Sequence, residues 1–223
     1  MSGIEQTTPT REPLFVDDVR NYLRLDDDVE ETLIVSLIVA ARNWAENYTG
    51  RAFITRTVSQ YLDGFIEVDN RLWEGWRTGP NIVNYQNFIE LAAAPVISVT
   101  HVKYFTDDNT ENTWAASNYH IDTIRTPSRI ALRDGGSFPS DLRSVNGLKI
   151  VFEAGYGASP LNVPEAIKMA MMQYCTFMYE HRGDGDGSST ISPPKLLTQL
   201  LQPYQIMRFS STPYSNILRS GIG

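Results

Sequence analysis

The sequence predicts an α+β protein. The expected form is a small helical bundle, two long helices plus short ones, with an inserted antiparallel β-rich domain and an extended C-terminal tail. Three observations predict it. Long helical periodicities fall near the two ends, at residues 27–49 and 164–182. Short β-branched runs broken by turn residues fill the stretch from Phe53 to Phe152. These runs do not alternate with helices, which argues against a doubly wound parallel sheet. The expected divisions are a flexible N-terminus (1–13), a first helical part (14–50), a β-rich insertion (51–157), a second helical part (158–203) and a tail (204–223).

The elements follow in order. Residues 1–12 are polar and read as loose. "FVDDVRNYLRL" (15–25) spaces Val16, Val19, Tyr22 and Leu23 as a short helix. In "DDDVEETLIVSLIVAARNWAENYTG" (26–50), Asp27 and Glu30 have the spacing of a capping box. Leu33, Ile34, Leu37, Ile38, Ala41, Trp44, Ala45 and Tyr48 form its apolar stripe, and Gly50 is a natural stop. Val35 and Val39 lie off the stripe, so this helix is expected to pack on two sides. Strands are expected at 52–62, 87–91, 96–106, 118–123, 128–133 and 148–154, with a hairpin turning through Asp107, Asp108 and Asn109. "PEAIKMAMMQYCTFMYEHR" opens on Pro164, suited to a first helical position, and is apolar around most of its circumference. It should pack against helix 27–49. "GDGDGSSTISPP" (183–194) reads as a loop, and "PPKLLTQLLQPY" as a short helix closed by Pro203.

Composition bounds the function. A chain of 223 residues with 42% hydrophobic residues can build a core without staples. Its formal net charge of −7 does not suit a clamp on DNA phosphates. Cys175 stands alone, so no internal disulfide framework exists, and its apolar neighbours suggest a buried thiol. No signal peptide is evident in "MSGIEQTTPTREP", and no run has the length of a membrane span, so the protein is expected to be made and kept in a reducing cytoplasm.

Chemistry-bearing motifs are weak. In "GYGASP", Gly155 and Gly157 match two glycines of a dinucleotide fingerprint, but Pro160 stands where the third belongs. A glycine-permitted bend explains them better. "DGDGSS" places Asp184 and Asp186 as in a calcium loop, but Ser189 and Lys195 occupy positions that need glycine and glutamate. His101, His120 and His181 have no metal-ligand partner at helical spacing. No nucleophile elbow occurs. The reading is therefore no catalytic residue, no cofactor and no metal, with a small hydrolase as a distant alternative.

The arrangement as a whole says more. "VDDVRNYLRLDDDVEETLIVSLIVAARNWAENYTGRAFITRTVSQYLDGF", "IELAAAPVISVTHVKYFTDD" and "IVFEAGYGASPLNVPEAIKMAMMQYCTFMYEHRGDG" follow one another in an order and spacing that resembles the phage head–tail connector (adaptor) family. It resembles the longer form, with a β-rich insertion. The likeness runs from about Leu14 to Tyr204; the segment 70–87 and the tail beyond Pro203 depart from the usual pattern. The resemblance implies a structural virion protein at the head–tail joint. It implies a ring, commonly of twelve copies, beneath the portal, extending the DNA channel and presenting a docking surface to the next neck or tail protein. Another neck ring, such as a tail terminator or stopper, is the alternative. It further implies a portal-binding tail, for which Arg208, Phe209, Tyr214, Ile217, Leu218 and Arg219 are the candidates. DNA should pass without specific binding, so Asp26, Asp27, Asp28, Glu30 and Glu31 are candidates to line or rim the channel.

Overall fold

A computed structural model describes residues 3–25, 30–64, 88–182 and 193–206. The described residues form α1 (Val16–Leu23), α2 (Glu31–Thr49), α3 (Glu165–Glu180) and α4 (Lys195–Leu201). They also form β1 (Gly3–Gln6), β2 (Arg56–Leu62), β3 (Phe88–Glu90), β4 (Val96–Phe105), β5 (Glu111–Thr113), β6 (Tyr119–Asp122), β7 (Arg129–Leu132) and β8 (Leu148–Ala154). The architecture is α+β, as the sequence predicts. The segment 70–87, singled out above, lies outside the described residues.

The two long helices pack on each other through the apolar faces expected of them. Ile34, Ile38, Ala41 and Ala45 of α2 are buried in one cluster with Ile167, Ala170, Met171 and Cys175 of α3. Val19 of α1 and Leu197 and Leu201 of α4 complete it. Trp44 stacks on Tyr48 and on Tyr174, with ring centroids 5.4 and 4.8 Å apart. Such pairs add stabilisation beyond area burial. Val35 is 41% exposed and Val39 only half-buried, so the second apolar side of α2 has little cover among the described residues.

Two helix starts differ from expectation. Glu30 occupies the N-cap of α2 and makes no side-chain cap bond, so the Asp27–Glu30 capping box is corrected; Asp27 itself is outside the described residues. The physical reason is competition: the Glu30 carboxylate is drawn across to α3. Pro164 caps α3 rather than opening it, and its carbonyl accepts from the Ile167 and Lys168 N–H groups at 3.0 and 3.2 Å. Gly50 ends α2 in the left-handed conformation, φ 71°, as its sequence position suggests.

The strands form two antiparallel sheets, ordered β1-β2-β8-β4-β5 and β3-β7-β6. In β2 alternate residues are buried, so Val58 and Leu62 face the sheet's core. Val58 lies opposite Phe152 in β8, and both are fully buried. The β4–β5 hairpin turns where predicted, with Asn109 at φ 63°. Trp114 packs against Tyr119, ring centroids 4.8 Å apart, and its indole N–H donates to the Ser137 carbonyl at 3.1 Å. Residues 3–6, read as loose, pair with β2 instead. All four side chains of β1 are exposed, so the strand carries no apolar alternation for a sequence reading to detect.

Between the two buried clusters runs a seam built on "GRAFITR" (50–56). Ala52 belongs to the sheet cluster, Phe53 and Ile54 to the helical one. The Ala52 N–H donates to the Ala94 carbonyl at 2.9 Å, and the Thr55 N–H to the Gly157 carbonyl at 3.0 Å. Gly155 passes so close that a Cβ there would lie 2.5 Å from the Thr55 Cα and N, at φ 144°. The "GYG" turn therefore serves close backbone passage at the seam.

Candidate assembly surfaces

The seam holds a buried ionic cluster. Arg42 and Glu46 stand one turn apart on α2, inside its apolar stripe. Arg42 Nε donates to Glu12 Oε2 at 2.7 Å and its Nη1 to Glu46 Oε2 at 3.3 Å. Arg56 Nη2 reaches the same Glu46 oxygen at 2.7 Å, and Glu46 Oε1 accepts the Phe53 N–H at 2.8 Å. Arg42, Glu46 and Arg56 are all buried. A buried carboxylate shared by two guanidiniums and a backbone amide fixes geometry rather than performing chemistry, because none of its partners faces open space. The sequence signal was present: Arg42 and Glu46 interrupt an otherwise apolar face, and Arg56 follows the helix stop.

The acidic candidates divide. Asp26, Asp27 and Asp28 lie outside the described residues. Glu31 is exposed at the start of α2. Glu30 accepts the Tyr179 hydroxyl at 2.6 Å and Arg182 Nη1 at 3.0 Å. The Tyr179 hydrogen bond first, and Arg182 second, hold its carboxyl below the usual carboxylate range. Glu30 thus ties the start of α2 to the end of α3, while Glu31 faces solvent.

The candidate tail residues Arg208, Phe209, Tyr214, Ile217, Leu218 and Arg219 also lie outside the described residues. Their point of departure is described. Arg51 Nε donates to the Tyr204 carbonyl at 2.6 Å, and the Ile206 N–H to the Thr49 carbonyl at 2.9 Å. The Ile206 side chain covers Gly50. The chain therefore enters its last segment at the C-terminal end of α2. Glu30 and Glu31 sit at the other end of that 19-residue helix, about 28 Å away.

Exposed apolar side chains mark further surfaces that sequence reasoning passed over: Phe15 at the N-cap of α1, Tyr22 on α1, Val35 on α2, and Ile121 and Ile124 on the β6–β7 hairpin. Their signal was weak, since an apolar residue in a short element predicts burial.

Groups able to do chemistry are dispersed. His101 is on β4, His120 is exposed on β6, and His181 caps α3, its Nδ1 2.8 Å from the Phe177 carbonyl. Burial, then Lys103 and Lys149, push the His101 imidazole below its ordinary value. The Cys175 thiol is fully buried and pushed up to about 12. Among the described residues no three His, Cys, Asp or Glu side chains gather as a metal site, and no helix is long and apolar enough to cross a membrane. Asp184 and Asp186 fall outside the described residues.

What this geometry defines is a protein of surfaces: a bolted seam, with an acidic helix end and exposed apolar side chains around it. The family model of the phage gp6-like head–tail connector protein matches residues 15–126. The chain belongs to that family, and is a structural protein of the head–tail joint of a phage-type virion. No curated protein sequence matches it. Among solved structures, a chain from the neck of an empty gene transfer agent (GTA) particle computed with C6 symmetry superposes with a TM-score of 0.70 at 24% identity, covering 94% of this chain and 98% of that one. A chain from the neck of a native GTA particle computed with C12 symmetry gives 0.65 at 24% identity, with the same coverage. A chain from the virion of a native GTA particle gives 0.69 at 22% identity, covering 93% and 97%. These likenesses establish the fold along nearly the whole chain.

Proposed function

We propose that this protein forms a closed ring, of twelve copies, beneath the portal, where it extends the DNA channel and offers a docking surface to the next neck or tail protein. The observation that carries the reading is that a connector-family chain shares its fold, over 94% of its length, with a chain of a particle neck. The twelvefold symmetry of one such neck supports the copy number. The helical core (14–50 with 158–203) and the β-rich insertion (51–157) supply the two different faces that a head-to-tail ring requires.

In this reading the two ends of α2 have separate tasks. The tail, 204–223, leaves from one end and docks on the portal through Arg208, Phe209, Tyr214, Ile217, Leu218 and Arg219. The other end carries Asp26, Asp27, Asp28, Glu30 and Glu31 at or near the channel. Negative walls suit a conduit, because a wall that neutralised phosphates would hold the DNA it must release. The rigid seam keeps the two ends at fixed separation. No catalytic step is assigned; the protein works by geometry.

Electron microscopy of particles made without this gene tests the proposal. Full-sized heads that lose DNA and lack tails, beside free tails, are expected. Intact tailed particles would overturn it. For the tail, removal of residues 204–223 should abolish portal binding in pull-down with the fold retained by circular dichroism. Normal binding by the truncated chain would reject that assignment.

A further inference from the structure

One exposed isoleucine needs no explanation. Ile124 differs because its surroundings are built. It stands at the tip of the β6–β7 hairpin and is 98% exposed. Asp122 Oδ1 accepts the N–H groups of both Ile124 and Arg125, at 3.2 and 3.3 Å. Asp122 Oδ2 accepts Arg129 Nε at 3.1 Å. The Ser128 hydroxyl donates to the Arg125 carbonyl at 3.2 Å. The Arg125 N–H bond, with Arg129, holds the Asp122 carboxyl below the usual range, so the clamp persists at neutral pH. The tip is pre-organised, which lowers the ordering entropy that binding would otherwise require. It presents an aliphatic side chain beside an exposed Arg125, with Ile121 also exposed on the adjoining strand.

A surface of opposite character lies on the other cluster. Asp18 and Tyr22 are exposed and, four residues apart, share one outward face of α1; Phe15, the N-cap residue that precedes the helix, is exposed as well. The inward residue Val19 is fully buried in the helical core. The face is aromatic with a carboxylate at its centre. It complements the tip in both respects, since it offers apolar rings to the isoleucines and a carboxylate and a ring to the Arg125 guanidinium.

We propose that the β6–β7 tip of one subunit docks on the Phe15–Asp18–Tyr22 face of the next copy of this chain. The inference rests on the ring reading and deepens it. A head-to-tail ring needs two unlike surfaces on each subunit, and these two are unlike and lie on separate cores. The area is small, so this contact sets register between neighbours rather than supplying the whole interface.

Cross-linking in assembled particles tests it. Cys175 is buried and inert, so introduced thiols act alone. The variant carrying Ile124→Cys and Tyr22→Cys replaces the native chain, and purified particles are oxidised and run without reductant. A ladder of this chain's multimers is expected, with only monomer from either single variant. Monomer alone from particles that contain the chain, or a cross-link to a different protein, would overturn the proposal while leaving the ring reading standing. Particles that lack the chain would overturn both. Charge exchange gives a second test that does not depend on disulfide geometry. Arg125→Asp and Asp18→Arg should each lower the yield of tailed particles at least about tenfold, as expected when like charges face each other. Together in one chain they should restore it. Both sites are exposed, so each purified variant should stay folded, with the thermal midpoint lowered only slightly for Asp18→Arg, which loses a carboxylate from the first turn of α1. Failure of the combined variant to recover would count against the contact.

Discussion

The helical and sheet cores of this protein are held in different ways. In the helical core α2 and α3 meet along broad apolar faces, reinforced by the Trp44–Tyr174 stack, and each helix buries small and branched side chains against the other. In the sheet core most strands are short, and β1, β3, β5 and β6 are edges, each paired on one side only among the described residues. The first is specified by side-chain shape and the second by register. Between them stands a junction of neither kind: Arg42, Glu46 and Arg56, charged and buried. The comparison teaches where the connector gains rigidity. Its surfaces are distributed over both cores, and their relative placement depends on the polar seam.

The sharpest break is therefore at Glu46. Glu46→Ala would leave two buried guanidiniums and the Phe53 N–H without their shared acceptor. Removing one partner of a buried ionic group costs roughly 3–5 kcal/mol. Urea unfolding should show that loss. A change under about 1 kcal/mol would mean that water or the neighbouring Glu12 replaces the lost contacts and that the seam is not a bolt. Next in size is Leu197→Ala, which removes a fully buried α4 side chain from the helical core and should cost about 2–5 kcal/mol. The milder sheet counterpart, Ile150→Val, should cost about 0.5–1.5 kcal/mol. If the sheet variant proves the more damaging, the ranking of the two cores is reversed.

The same contrast explains what the sequence made legible. α2 and α3 were readable because a wide apolar stripe with Gly50 behind it admits one interpretation. Their packing on each other followed, since neither face could be left wet. Strand positions were readable from β-branched runs, but which strand pairs with which was not. The pairing of β2 with β8 joins residues far apart in sequence, and no local feature encodes it. β1 escaped notice because its side chains are all exposed. Glu30 misled because a capping-box spacing is local, whereas the hydroxyl of Tyr179 and the guanidinium of Arg182 come from the far end of α3. The candidate surfaces were least legible: the Ile124 tip depends on Asp122, Ser128 and Arg129 meeting in three dimensions.

Two smaller effects separate backbone from side-chain control. Gly50→Ala meets only ordinary contacts, the nearest 3.6 Å away on Ile206, so its cost isolates the φ 71° conformation. About 1–2 kcal/mol is expected. His101 tests the sheet. Its folded-state pKa lies below the ordinary value of 6.5, so its neutral form is favoured by folding. That contribution is complete above pH 6.5 and is lost as pH falls through the folded pKa, where the unfolded chain already holds the proton. The thermal midpoint should fall between pH 7.5 and pH 5, and His101→Gln should remove a small part of that slope. An identical slope in the variant would show that His101 contributes none of it.

The smallest effect on stability should come from removing residues 1–6. β1 adds backbone hydrogen bonds to the edge of β2 but buries no side chain. Exposed backbone pairing of that kind contributes little once the open strand and the bare edge regain water, so the unfolding free energy should move by no more than about 0.5 kcal/mol. The larger consequence lies outside stability. Without β1, the edge of β2 is left unpaired, and a bare edge strand is a template for another chain. The truncated protein should therefore unfold at nearly the same urea concentration yet self-associate at high concentration, seen by light scattering. Loss of several kcal/mol with no association would show instead that β1 is part of the sheet core, and the distinction between a shape-specified helical half and an open-edged sheet half would have to be redrawn at its first strand.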